Sequence, residues 1–179
     1  ILSGGTGAPV AGAHVVGEKY TDNDGVIWNC ITAGTPGGWT SSPISRRFNL
    51  PYTVFAALGV VDTGQVAVFT LPVKSEILSA FYNCSVLLTD GVALGNTTVS
   101  VGLAATPTTI CTAQRVDDAD PAGVGLRRIM GTDLSTNRAI YNAVATTAII
   151  AEITIAGGKK CNVINAGNID VYMVYIRHS

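Results

Sequence analysis

The strongest constraint on this chain's fold is the rhythm of short apolar runs separated by turn residues. Residues 146–155, TTAIIAEITI, are rich in β-branched side chains, and Ala156-Gly157-Gly158 ends them. Residues 97–103, TTVSVGL, alternate so that Val99, Val101 and Leu103 share one face, as a half-buried strand requires. Residues 65–71 form another run, stopped by Pro72. Residues 76–88 read as one long strand or two strands with a bulge, although Ile77, Leu78, Phe81 and Tyr82 would also share a helical face. The final run, 169–176, is apolar on both faces. An antiparallel sheet normally shows one face to water, so this pattern predicts a sheet covered twice, by its own core and by another subunit. About seven to nine strands at this spacing, with no βαβ alternation, predict an all-β fold: an antiparallel, jelly-roll-like β-sandwich.

Between these runs the reading is less regular. Residues 44–51, with Arg46-Arg47-Phe48, read as a connection, and 52–61 as a continuation of the β texture. Residues 104–125 read as a loop with a short strand at 108–111 and an acidic patch, Asp117-Asp118-Ala119-Asp120. A further strand is expected at 126–130.

The N-terminal part has its own character. Residues 1–13 are mostly small and read as an extended arm, disordered unless it lies along a neighbour. Two runs, 15–20 and 26–32, flank Asp22-Asn23-Asp24-Gly25, where Gly25 supplies the positive φ of a tight turn. In the second run Val26, Trp28 and Cys30 share one face and Ile27 and Ile31 the other. Gly34-Thr35-Pro36-Gly37-Gly38 then breaks the chain before Trp39. Two Trp side chains in one hairpin are a packing device, each needing a partner for its N–H. A lone hairpin is marginal, so it should dock on a larger body. The organisation expected is an arm (1–13), a hairpin attachment module (14–42) and a sandwich (43–179).

The set Tyr20-Thr21-Asp22, Gly25, Trp28, Cys30, Ala33-Gly34-Thr35-Pro36-Gly37 and Trp39 resembles a short module of tailed-bacteriophage virion appendages, of head-fibre, decoration or tail-fibre type. The texture of residues 52–176 also resembles jelly-roll domains of phage fibres and capsid-decorating proteins. The resemblance implies a small β element beside a trimeric domain, assembled in the host cytoplasm into a virion.

Composition supports a protein held in an assembly. Apolar residues make up 47% and charged residues 13%, with a net charge of −1, and mean hydropathy is +0.38. That is too little charge to cover a monomer's surface, so burial between subunits is expected, most simply in a homo-oligomer. No apolar run approaches the ~18 residues of a membrane-spanning helix. Arg46-Arg47 and Arg127-Arg128 are isolated pairs without a basic stripe, so no nucleic-acid partner is expected. The start, ILSGGTGAPV, has neither a basic n-region nor an apolar core of about 7–15 residues, so no signal peptide is expected in it.

Residues that could carry chemistry are few. His14 and the penultimate His178 are the two histidines, and neither lies in a catalytic motif. Asp117, Asp118 and Asp120 lack a calcium-loop pattern and read as a solvated loop. Asp22 and Asp24 read as caps of backbone N–H groups. Cys30, Cys84, Cys111 and Cys161 form no C-x-x-C pair, and buried free thiols are expected. The sequons at Asn83 and Asn96 are read as chance. No catalytic site, cofactor or metal is expected.

The reading is therefore a non-enzymatic virion structural protein, a trimeric capsid decoration or head-fibre protein of cement or spike type. Its partners would be itself and the major capsid protein or another virion protein. Trp28, Trp39, Tyr172, Val174 and Ile176 are the candidate oligomer and attachment residues. A first alternative is a receptor-binding tail-fibre tip that takes host surface glycan on Tyr52, Tyr82 or Tyr141. A second is an extracellular lectin-like adhesive domain, which disulfide pairing would favour.

Overall fold

The computed structural model describes residues 2–3, 5–91, 94–117, 125–127, 141–142 and 145–179. They form a small N-terminal sheet and a two-sheet β-sandwich. The small sheet runs β1 (Leu2–Ser3), β2 (Lys19–Thr21), β3 (Ile27–Thr32) and β4 (Gly38–Ser41), in that spatial order. One sandwich sheet, the front sheet, has the order β10-β7-β13-β5, with β11 also pairing β7. Its members are β5 (Ile44–Pro51), β7 (Ser75–Thr89), β10 (Gly125–Arg127), β11 (Tyr141–Asn142) and β13 (Ala166–Arg177). The back sheet has the order β6-β12-β8-β9, from β6 (Thr63–Leu71), β8 (Thr97–Leu103), β9 (Thr106–Arg115) and β12 (Thr147–Ile155). All pairings within the sandwich sheets are antiparallel.

Side-chain alternation builds the core. From the front sheet, Ile77, Tyr82, Cys84, Ile169, Val171 and Met173 turn inward; from the back sheet come Val99, Val101, Ile149, Ala151 and Ile153. The Tyr82 hydroxyl donates across the sandwich to the Val99 carbonyl at 2.9 Å. Phe69 of the back sheet meets Phe48 and Tyr175 of the front sheet, with ring centroids 5.1 and 5.4 Å apart. Burying one such side chain stabilises the fold by about 1.5–3 kcal/mol.

The structure departs from the sequence reading at several places. Residues 44–51 are an eight-residue strand at the edge of the front sheet, not a connection. Pro51 ends it, and Tyr52–Ala56 then form a single helical turn (α1) in place of the expected β texture. Phe55 of that turn is fully buried in the sandwich core. The expected loop after residue 104 contains the ten-residue β9, with Pro107 near its start. An edge strand tolerates a proline because one side of its backbone has no partner to bond. Of the run at 15–20 only Lys19 and Tyr20 are strand, in β2. Residues 75–89, by contrast, are the long strand expected, paired along β13 with register shifts that mark bulges. Gly167, at one of those shifts, has φ +130°, and a Cβ there would strike the backbone of Leu88.

Asp117 belongs to the core and not to a solvated loop. It is fully buried, accepts from the Thr97 amide at 2.6 Å and pairs with Arg115 at 3.0 Å. Of the strand expected at 126–130, residues 126 and 127 lie in β10; residues 128–130, Asp118 and Asp120 lie outside the described residues.

Candidate attachment site

The small sheet has its own core of Tyr20, Trp28, Cys30 and Trp39, with Ala8 and Val26 against it. One carboxylate organises it. Asp22, 4% exposed, accepts from the Trp28 indole N–H at 3.0 Å and from the amides of Gly7, Asp24 and Val26 at 3.0, 3.0 and 2.8 Å. Burial opposes its ionisation, but the indole and backbone donors outweigh that, so its pKa is pushed below the usual carboxylate range. The same bonds tie the arm to the hairpin. Gly7 is anchored to Asp22, and Leu2–Ser3 pairs in parallel with Tyr20 and Thr21. The expected free arm is thus partly incorporated in the sheet.

Trp39 is held in a comparable way. Its indole N–H donates to the Pro36 carbonyl at 3.0 Å, and the His14 ring meets it edge-on, 4.9 Å between centroids. Gly37, at φ +83°, allows the close turn: a Cβ there would lie 2.8 Å from the Thr32 carbonyl oxygen. His14 is itself buried between two acceptors, the Glu18 carboxylate and the Ala11 carbonyl, each at 3.0 Å.

The end of β13 fastens this sheet to the sandwich. The Trp39 amide donates to the Ser179 hydroxyl at 2.8 Å, and the Ser179 amide donates to the Trp39 carbonyl at 3.0 Å. The Arg177 amide donates to the Ser41 hydroxyl at 2.8 Å, while the guanidinium lies over the Trp28 ring, 5.3 Å from its centroid. His178 is not a mobile terminal residue. Its amide donates to the Lys74 carbonyl at 2.8 Å and its ring pairs with Glu76.

Among the described residues, the small sheet with its preceding segment and the outer side of the front sheet both carry apolar surface. On the small sheet, Ile27 and Ile31 are 44% and 54% exposed, and Val15 and Val16 in the preceding segment are 68% and 64% exposed. On the outer side of the front sheet, Phe81 and Tyr172 stack at 4.9 Å with 14° between their planes. Arg47 lies 5.8 Å from the Tyr172 centroid and pairs with Asp170 at 2.9 Å. Asn49 donates to the other Asp170 oxygen at 2.8 Å. Burial disfavours the Asp170 carboxylate, yet Arg47 and Asn49 hold its pKa below the usual range. A recess of about 240 Å³ opens among Ser45, Arg47, Phe81, Tyr172 and Val174.

The five sequence-predicted attachment residues therefore fall into two groups. Trp28 and Trp39 are each 1% exposed within a single chain, so their area is already covered by the small sheet and its surroundings. Tyr172, Val174 and Ile176 are half-buried, in the outward rows of β13. Their neighbours Phe81, Arg47, Asp170 and Asn49 were not singled out by sequence; the alternation 45-47-49 beside 170-172-174 was the signal, hidden by reading 44–51 as a connection. Of the candidate sugar platforms, Tyr82 is fully buried, Tyr52 is half-buried and packs on the core, and the side chain of Tyr141 lies outside the described residues. Among the described residues no cluster of three or more His, Cys, Asp or Glu could hold a metal ion. The four cysteines are buried, and none is in a disulfide.

No protein-family model matches the chain, and no curated protein sequence does. A solved structure does match. A chain of the cyanophage Pam1 capsid asymmetric unit superposes with a TM-score of 0.52 at 16% identity, over 76% of this chain and 85% of that one. At that identity the likeness is one of fold.

Proposed function

We propose that this chain is a non-enzymatic structural protein of a phage virion, displayed on the capsid as a decoration or head-fibre protein. The observation that carries the reading is the fold shared with a chain of a cyanophage capsid over most of both lengths. The Trp-bearing module that resembles phage appendage modules supports it independently. In this reading the sandwich assembles as a homotrimer through the outer face of the front sheet, where Phe81, Tyr172 and Val174 supply apolar area and Arg47 and Asn49, held by the buried Asp170, a polar rim. The small sheet presents Val15, Val16, Ile27 and Ile31 to the major capsid protein or another virion protein. Trp28 and Trp39 act indirectly by holding that sheet rigid. Glycan binding is less well supported, because Tyr82 is spent in the core.

Immunogold labelling of gradient-purified particles of the phage that encodes the chain tests this. Labelled heads are the expected result. Labelled fibre tips would transfer the protein to receptor binding, and particles without label would overturn the virion reading.

A further inference from the structure

A cleft of about 590 Å³ opens where the arm, the small sheet and the sandwich meet. That is the size range of sites that enclose small ligands or a few residues of a peptide. Its apolar lining is Ala8, Pro9, Val10, Pro36 and Val73, with Trp28. Val10 is 88% exposed and Val73 43% exposed, so these apolar side chains stand open to solvent at the cleft's rim. Lys74 and Arg177 add two positive charges to the lining, and among the described residues no Asp or Glu side chain lines the cleft. His178 already pairs with Glu76. Lys74 and Arg177 have no carboxylate partner among the described residues. The Arg177 Nε is buried there without a hydrogen-bond partner, an orphan donor of the kind that buried sites normally satisfy. Lys74 has φ +53°, an uncommon backbone state for a residue with a side chain, and its carbonyl is fixed by the His178 amide.

We infer that this cleft receives an extended peptide segment of a neighbouring virion protein, one with an acidic side chain beside an apolar one. The carboxylate would meet Lys74 and Arg177, and the apolar residue would cover Val10, Pro9 and Val73. Trp28 offers too little exposed face to serve as a sugar platform, being 1% exposed. The inference rests on the virion reading for the identity of the partner, not for the chemistry of the cleft.

The test uses the ¹⁵N-labelled full chain, titrated with the blocked pentapeptide Ala-Leu-Asp-Val-Ala. Saturable shifts are expected at the Trp28 indole N–H and at the amides of Gly37, Gly38 and Lys74. Replacing Asp by Asn in the peptide should weaken binding about tenfold or more, as should replacing Leu and Val by Ser. Lys74→Asn, which keeps a side chain tolerant of positive φ, should weaken the acidic peptide about tenfold and leave the rest of the spectrum in place. Arg177→Met should do the same, with Lys74→Asn as the safeguard if loss of the Trp28 contact unfolds the module. Absence of saturable shifts at millimolar peptide would overturn the inference, and so would equal binding of the Asp and Asn peptides. Equal binding of the Ser-substituted peptide would overturn its apolar half. None of these results alters where immunogold places the protein, so failure here and failure of the virion reading are distinguishable.

Discussion

The indole N–H of Trp28 donates to the carboxylate of Asp22 at 3.0 Å, and both groups are buried. Three backbone amides share that carboxylate, so one side chain fixes the turn, the Trp rotamer and the arm. Asp22→Ala would orphan four donors and should destabilise the module by about 2–4 kcal/mol, with Asp22→Asn intermediate. Chemical denaturation followed by Trp fluorescence reads this directly. The folded-state pKa of Asp22 is depressed, so its contribution is present above the unfolded pKa and is lost as pH falls through the folded one. The wild-type transition should therefore weaken on acidification below about pH 4, and Asp22→Asn should weaken less.

His14 gives the opposite pH dependence. Both ring nitrogens face acceptors, which requires the imidazolium form while Glu18 is ionised. The Ala11 carbonyl and the Glu18 side chain raise its pKa above the ordinary histidine value of 6.5. Its contribution is complete below the unfolded pKa and lost as pH rises through the folded one. An NMR titration of the His14 ring should give a midpoint above 6.5 in the wild type and a lower one in Glu18→Gln.

The stacked pair Phe81–Tyr172 lies on the outer face, away from the sandwich core. Tyr172→Asp should abolish self-association yet leave the melting temperature of the subunit within a few degrees. Light scattering and calorimetry on the same sample separate the two effects. A variant that stays assembled would remove this face from the interface.

The cysteines should behave as core residues. Burial pushes the Cys111 thiol up to about 12 and raises Cys161 as well. Ellman titration of the native protein should find no fast-reacting thiol, and the denatured protein should show all four. A mass consistent with a disulfide would return the extracellular adhesive reading to consideration.

What was legible in the sequence depended on position in the sheets. Central strands such as Thr147–Ile155 and Thr97–Leu103 are flanked on both sides, and their apolar alternation declared them. Of the edge strands, β6 was declared by its run at 65–71, while β5 and β9 were hidden. In β5 the inward row is Ile44, Arg46, Phe48 and Leu50, and the exposed Arg46 broke the pattern because an edge position lets its side chain reach water. In β9 the Pro and the Thr-rich start read as loop, and its pairing to β8 is irregular. The turn α1 is too short for a 3.6-residue period to show. The hairpin, its Gly25 turn and the inward Trp28 and Cys30 were readable locally. The cleft was not, because it brings together residues 6–10, 28, 36–38, 73–74 and 177–179, which only the folded chain makes neighbours.

If the chain's apolar excess is spent on copies of itself and on a particle, its mass in solution must show it. Light scattering across a dilution series, on the whole chain and on a chain beginning at Ser42, reads that mass. The whole chain should weigh three times the 18.5 kDa subunit mass, and the trimer should be retained on truncation because the outer face of the front sheet belongs to the sandwich. A well-behaved monomer for the whole chain at every concentration would contradict it.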